Sequence, residues 1–162
     1  MSKTKPARIL GLCLYAIAAY GMAASDAGLT LLSEQEAGAL RLAADAKVIS
    51  ATVRGAAPRI NIESPILRQD AEGLAIAETN PEAMLVALFT EKDKVDMGRL
   101  EVEFRNGNRV VSLTKRLRPY LTENKLDARH LRIPPGRFEM VFRIEDKKGQ
   151  LAEKNYVWIV KN

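Results

Sequence analysis

The side chains able to do chemistry are few in this chain. His130 is the only histidine of the 162 residues, and Cys13 is the only cysteine. An imidazole can act as a general base or a metal ligand. A single histidine without thiol partners does not make a zinc site of ordinary composition, which gathers three or four Cys, His or carboxylate ligands. The context "DARHLRI" surrounds His130 with charge, which suits a histidine on the surface or on an edge strand. A hydrolytic nucleophile needs an adjacent base and a group that orients that base. The sequence contains neither a G-x-S-x-G elbow nor an H-E-x-x-H pair. Carboxylates pair at Asp93/Asp96, Glu101/Glu103 and Glu145/Asp146. The loop "EKDKVD" interposes Lys92 and Lys94 and lacks the D-x-D-x-D-G spacing of a calcium loop. Glu101 and Glu103 stand two apart on a strand pattern and so share one solvated face. The expectation is no catalytic residue, no metal and no cofactor.

Charge is unevenly distributed. Between Arg109 and Arg137 the chain carries Arg109, Lys115, Arg116, Arg118, Lys125, Arg129, Arg132 and Arg137 against only Glu123 and Asp127, a local net of +6 (8 − 2). With Tyr120 nearby, Arg116, Arg118, Arg129 and Arg132 are the candidate polyanion-binding residues. They would hold anionic glycan, lipopolysaccharide or lipid headgroups through point charges and guanidinium forks. The plain alternative is a basic surface that adds solubility or balances acids elsewhere in the fold.

The N-terminus "MSKTKPARILGLCLYAIAAYGMAAS" has basic Lys3, Lys5 and Arg8, an apolar run from Ile9 to Tyr20, and small residues from Gly21 to Ser25. This is the three-part layout of a secretory signal peptide. The run is short for a membrane span, which needs about 20 apolar residues. Cleavage is expected between Gly21 and Asp26, with a retained anchor as the other outcome. Residues 1–24 contain three cations and no acid, so the formal net charge falls from +5 to +2 (22 Lys+Arg against 20 Asp+Glu) once they are removed. Cys13 leaves with them, so disulfides and thiol chemistry are not expected. Export to the periplasm or cell surface also argues against nucleic acid as a partner.

The remaining chain must therefore stand on its hydrophobic core. Ser33-Glu34-Gln35-Glu36 has capping-box spacing and opens one helix, whose alanine-rich stripe predicts weak docking. "ISATVRGAAPR" reads as a linker, so the expected divisions are 1–24 signal peptide, 25–57 helix and linker, and 58–162 the main domain. From Pro58 onward the apolar period changes from about 3.6 to 2. "RINIES", "LAIAE", "MLVALFTE", "RLEVEF" and "ARHLRI" are strand candidates, and "RNGN" is a tight turn. Ser112 or Thr114 could cap one helical turn that sets Leu113 and Leu117 on one side. In "PPGRFEMVFRIEDKKGQLAEKNYVWIV", Phe138, Met140, Phe142 and Ile144 alternate inward. Asp146-Lys147-Lys148-Gly149 turns the chain, and Tyr156, Trp158 and Val160 line the return strand. About six or seven short strands at regular spacing, with one helical turn between them, imply a mainly β fold, an antiparallel β-sandwich with a short N-terminal helix.

From "PRINIESP" through "SLTKRLRPYL" and "LRIPPGRFEMVFRIEDKKGQ" to "YVWIV", the chain resembles small exported bacterial immunoglobulin-like or fibronectin-III-like domains. In these, a Pro-Gly turn leads into a long strand, an Asp-x-x-Gly turn and the last strand. The resemblance spans residues 58–162 and implies a non-enzymatic binding or assembly module with a protein partner. It carries over no catalytic residue. The alternative from another class is a small hydrolase or carbohydrate-active accessory domain, with a loop-built site around His130.

Overall fold

A computed structural model of the chain describes residues 28–50, 58–90 and 95–162. The signal-peptide reading of residues 1–24 lies outside these, as do Asp93 and residues 51–57 of the expected linker.

The longest strands follow the clearest pattern. Gly136–Glu145 (β8) and Leu151–Val160 (β9) pair antiparallel in continuous register from Gly136↔Val160 to Glu145↔Leu151. Phe138, Met140, Phe142, Ile144, Tyr156 and Trp158 are fully buried on the inner face. Each such side chain contributes roughly 1.5–3 kcal/mol on burial. Phe104 lies 5.5 Å from Phe138 and 6.2 Å from Trp158 by ring centroid, so the aromatic core continues into the neighbouring strand. The connecting turn is held by Asp146, whose Oδ1 accepts from the N–H groups of Lys148 and Gln150 at 2.8 Å. Gly149 adopts φ +83 there, a region that glycine enters without steric cost.

Seven further strands complete two sheets. They are Ile60–Ser64 (β1), Leu67–Gln69 (β2), Ala75–Thr79 (β3), Glu82–Phe89 (β4), Glu101–Asn106 (β5), Arg109–Ser112 (β6) and Lys125–Arg132 (β7). The three-stranded sheet has the order β1-β4-β7, and the six-stranded sheet has the order β2-β3-β9-β8-β5-β6. Their inner faces share one core that includes Ile60, Leu85, Phe89, Phe104, Leu126, Phe142 and Trp158. The mainly β, two-sheet architecture is as expected. One ladder departs from the antiparallel expectation: β3 pairs with β9 in parallel, Ile76↔Val157 to Thr79↔Val160. Strand-length patterns carry no direction of pairing, so this ladder had no local signal. Strands β2 and β6, in which no residue is fully buried, give no pattern that assigns them.

A helical turn, Thr114–Leu117 (α2), links β6 to β7 and buries Leu113 and Leu117. Its first position carries no side-chain cap. The Thr114 hydroxyl turns instead to β5, where it accepts from Val102 N at 2.9 Å.

The N-terminal segment packs far more closely than its alanine stripe suggests. Glu34–Leu40 (α1) is capped by Ser33 and Glu36 as the spacing predicts. Leu31, Leu32, Ala37 and Leu40 are at most 1% exposed and belong to the common core. Leu29–Leu31 adds to the edge of β7, with Leu31 N donating to Arg132 O and Arg132 N to Leu29 O, both at 2.8 Å. The helix stops at Leu40 because the chain then pairs elsewhere: Leu42 N donates to Arg137 O at 2.8 Å. Residues 28–50 thus form a strap running from the edge of the small sheet to the outer face of the large one.

Candidate functional site

Sequence reading singled out the basic segment, and the structure gives much of it a definite job. An irregular strap leaves carbonyl oxygens that need donors. Arg116 donates to Leu31 O at 2.6 Å, Arg109 to Ala39 O at 3.4 Å, and Arg137 to Ala43 O and Ala46 O at 2.8 and 3.2 Å. Asn106 and Asn155 serve Arg41 O and Ile49 O at 2.9 and 2.7 Å. Arg116 also forks onto the Glu36 carboxylate, at 2.6 and 3.1 Å. Held mainly by this guanidinium and then by the Ser33 N–H, the Glu36 carboxyl falls to about 2.

The four candidate polyanion residues fare differently from one another. Arg116 is committed to the strap. Arg129 grips Asp127 at 3.0 and 3.3 Å, and Asp127 is held down to about 2 by Arg129 first and Lys125 second. Arg132 stands opposite Glu82 in the β4–β7 ladder and borders a hollow of about 450 Å³ together with Glu34 and Glu82. Arg118 is exposed in the 3-10 turn Arg118–Tyr120 and makes no ion pair among the described residues. Of the carboxylates noted in the sequence, Asp96, Glu103, Glu145 and Asp146 are likewise engaged, and Glu101 is exposed without an ion pair among the described residues. Asp96 caps the turn Met97–Arg99 through Gly98 N at 2.9 Å, Glu145 pairs with Arg99, and Glu103 bridges Arg105 and Arg143.

A different surface leaves large apolar side chains in water and Glu82 without an ion pair among the described residues. A groove of about 710 Å³ opens where the chain crosses between the sheets, from β1 to β2 and again from β3 to β4. Pro65, Ile66, Ile76 and Met84 supply its apolar lining, and Arg68, Asp70, Glu78, Glu82 and His130 its charged and polar part. Ile66 is 78% exposed and Met84 49%, so two of the large apolar side chains left in water share this groove. A β-bulge builds its far wall. Leu85 pairs with Ala128 and Ala83 with Leu131, so Arg129 and His130 together oppose Met84. The extra residue lets Ala128 and Leu131 both face the core although they are three apart. His130 takes φ 54, a left-handed conformation that costs a side-chain-bearing residue roughly 1–2 kcal/mol. The strap buttresses this conformation: a Cβ on Gly28 would lie 2.0 Å from the His130 carbonyl oxygen, so only glycine fits there.

The groove brings His130 together with carboxylates and hydroxyls, which the sequence alone could not reveal. Among the described residues, however, no hydrogen bond joins the imidazole to any of them. Ser64 Oγ donates to Met84 O at 3.3 Å, and Thr79 Oγ1 accepts the Trp158 indole N–H at 2.8 Å. Asp70 Oδ1 receives Glu72 N and Leu74 N at 3.1 and 2.7 Å, and Glu78 pairs with Lys161. Among the described residues, no three His, Cys, Asp or Glu side chains converge on a possible metal position. No helix among them is long and apolar enough to cross a membrane.

Fold and groove together define a class, a mainly β two-sheet protein with an open, partly apolar recess at a sheet crossover. No protein-family model matches the chain, and no curated protein matches it.

Proposed function

We propose that the chain is a non-enzymatic binding or assembly module of the exported, immunoglobulin-like kind, with the crossover groove as its binding face. The observation that carries this reading is the groove itself, where exposed Ile66 and Met84 meet a strained His130 bulge. Backbone strain persists where the surroundings over-determine it, and such positions cluster at functional sites. The strand orders support the immunoglobulin-like reading. β9-β8-β5-β6 and β1-β4-β7 follow the G-F-C-C′ and A-B-E orders of such sandwiches. The hydrolase alternative would need a hydroxyl paired with His130, and both groove hydroxyls serve structural bonds instead. That supports binding over catalysis. Since Arg116 and Arg129 are already committed to carboxylates, a protein partner is favoured over anionic glycan or lipid headgroups. The N-terminal basic and apolar layout supports a periplasmic or cell-surface setting.

The test is photo-crosslinking in cells with a reactive residue at Met84 or Ile66, and with Leu151 as the control. Leu151 is also exposed but lies at the opposite end of β9 from the residues that pair with β3. Discrete adducts from the groove positions alone are expected. Equal labelling from Leu151 would end the reading.

A further inference from the structure

Beside the groove runs an open sheet edge, and the two together point to a particular occupant. Resting on the binding-module reading above, we infer that the groove takes an extended, apolar polypeptide segment bearing lysine or arginine, laid against β2 as an added strand.

The edge is read from the ladder. Strand β2 pairs with β3 as Leu67↔Ala77, Arg68↔Ile76 and Gln69↔Ala75, and Asp70 N donates to Leu74 O at 3.0 Å just beyond. Hydrogen-bonded and non-bonded pairs alternate along an antiparallel ladder. Arg68 is therefore bonded to β3, while the N–H and C=O groups of Leu67 and Gln69 point to the open side. Strand β2 is the outermost strand of the six-stranded sheet, and no backbone partner for Leu67 or Gln69 occurs among the described residues. Ile66, Arg68, Gln69 and Asp70 line the groove, so this edge borders it through Gln69 and through the residues on either side of Leu67. A volume of about 710 Å³ would suit a small molecule equally well. What singles out a polypeptide is the row of unpaired backbone groups, the template that strand addition uses.

Charge narrows the choice of segment. The lining carries Asp70, Glu78 and Glu82 against Arg68, and Lys161 pairs with Glu78 from beside it, which leaves a net of −1 (2 − 3) on a chain whose formal net charge is +5. Glu82 is exposed and forms no ion pair among the described residues, although Arg132 stands opposite it in the ladder. Complementary potential favours a cationic partner and disfavours an acidic one. The apolar contacts fall to Ile66 and Met84, and a flexible thioether adapts to varied side chains. The groove would thus read extended shape and positive charge more than a fixed sequence.

The experiment measures fluorescence anisotropy of labelled peptides of about six residues, a common strand length, against the full chain. One probe alternates valine with lysine, a second replaces lysine by glutamate, and a third keeps the lysines but substitutes proline at two alternate positions. The lysine probe should bind at least about tenfold more tightly than the glutamate probe, and the preference should shrink as salt rises. The proline probe should lose most of its binding, because it lacks the N–H donors an added strand supplies. Glu82→Lys should weaken the lysine probe; the side chain is exposed, so the fold should tolerate the change. Equal binding of the first two probes, or full binding by the proline probe, overturns the inference. A concentration-dependent dimer abolished by Met84→Arg would also overturn it, by naming a second copy of the chain as occupant. If adducts form at Met84 in cells while the lysine probe shows no preference, the module reading stands and this inference fails. If neither is seen, both fail.

Discussion

The strap interface and the crossover groove contain the same kinds of groups in opposite states. Under the strap, six carbonyl oxygens from Leu31 to Ile49 each receive a side-chain donor from the sandwich. Leu31, Leu32 and Leu40 are sealed, and Glu36 is neutralised by Arg116. In the groove, apolar side chains stand in water, the edge of β2 has no partner strand, and Glu82 has no counter-ion among the described residues. The contrast shows why composition misdirects. Of the eight cations in the basic stretch, Arg109, Arg116 and Arg137 hold the N-terminal segment and Lys125 and Arg129 share Asp127, whereas the surface with chemistry to offer is the less conspicuous one. A charge that already has its partner contributes to the fold; one that lacks it is available to something else.

That comparison can be broken most decisively at the strap's apolar anchor. If the strap is as integral as its burial implies, Leu40→Ala should destabilise the whole domain by about 2–5 kcal/mol, the range for emptying a buried leucine site. A single cooperative urea transition shifted to lower concentration is the expected result. An unchanged midpoint would return the strap to the status of a loose appendage. Next in size is Arg116→Ala, which strips Leu31 O and Glu36 of their donor. Both partners are part-exposed, so the expected loss is about 1 kcal/mol in the same measurement.

The Glu36 carboxyl supplies a smaller, pH-dependent version of the same test. Its value is depressed from 4.5 to about 2 in the folded chain, chiefly by the Arg116 guanidinium. The stabilisation is therefore complete above pH 4.5 and is lost as the pH falls through about 2. The wild type should lose stability across that window by more than Arg116→Ala does, as read from denaturation midpoints at pH 5 and pH 3. Parallel losses would mean that other carboxylates dominate. The smallest effect belongs to the groove. Met84→Ser should change stability by no more than about 0.5 kcal/mol, as expected for an exposed side chain, while removing crosslinking from neighbouring groove positions. A large loss of stability there would make Met84 a packing residue and erase the contrast.

How far the sequence could be read depends on how local each signal is. The β8–β9 hairpin, its Asp146 turn and the Ser33–Glu36 capping box depend on residues within a few positions of each other, and all stand as the spacing implies. The bulge at Arg129 and His130 was invisible, because one extra residue simply reverses the period-2 alternation after it. The strap was underrated because Leu31 and Leu32 precede the helix and have no periodic partner; their burial is decided by the edge of β7. The groove draws on residues 64–70, 76–84 and 130, which come together only through two sheet crossings. Arg116 looked available because its partner Glu36 lies 80 positions away, whereas the partner of Arg129, Asp127, stands within the same segment.

The parallel β3–β9 ladder has a consequence for how this molecule comes into being. Of the nine strands among the described residues, β9 is the last in chain order, yet it lies inside the six-stranded sheet, between β3 and β8. On a chain that emerges from its N-terminus, the β2–β3 hairpin has no sheet to join until Leu151–Val160 is out. The indole of Trp158, which bonds Thr79 and packs on Phe104, arrives at the same late moment. The β2–β3 hairpin can therefore join the large sheet only once β9 has been made, whatever pairs earlier.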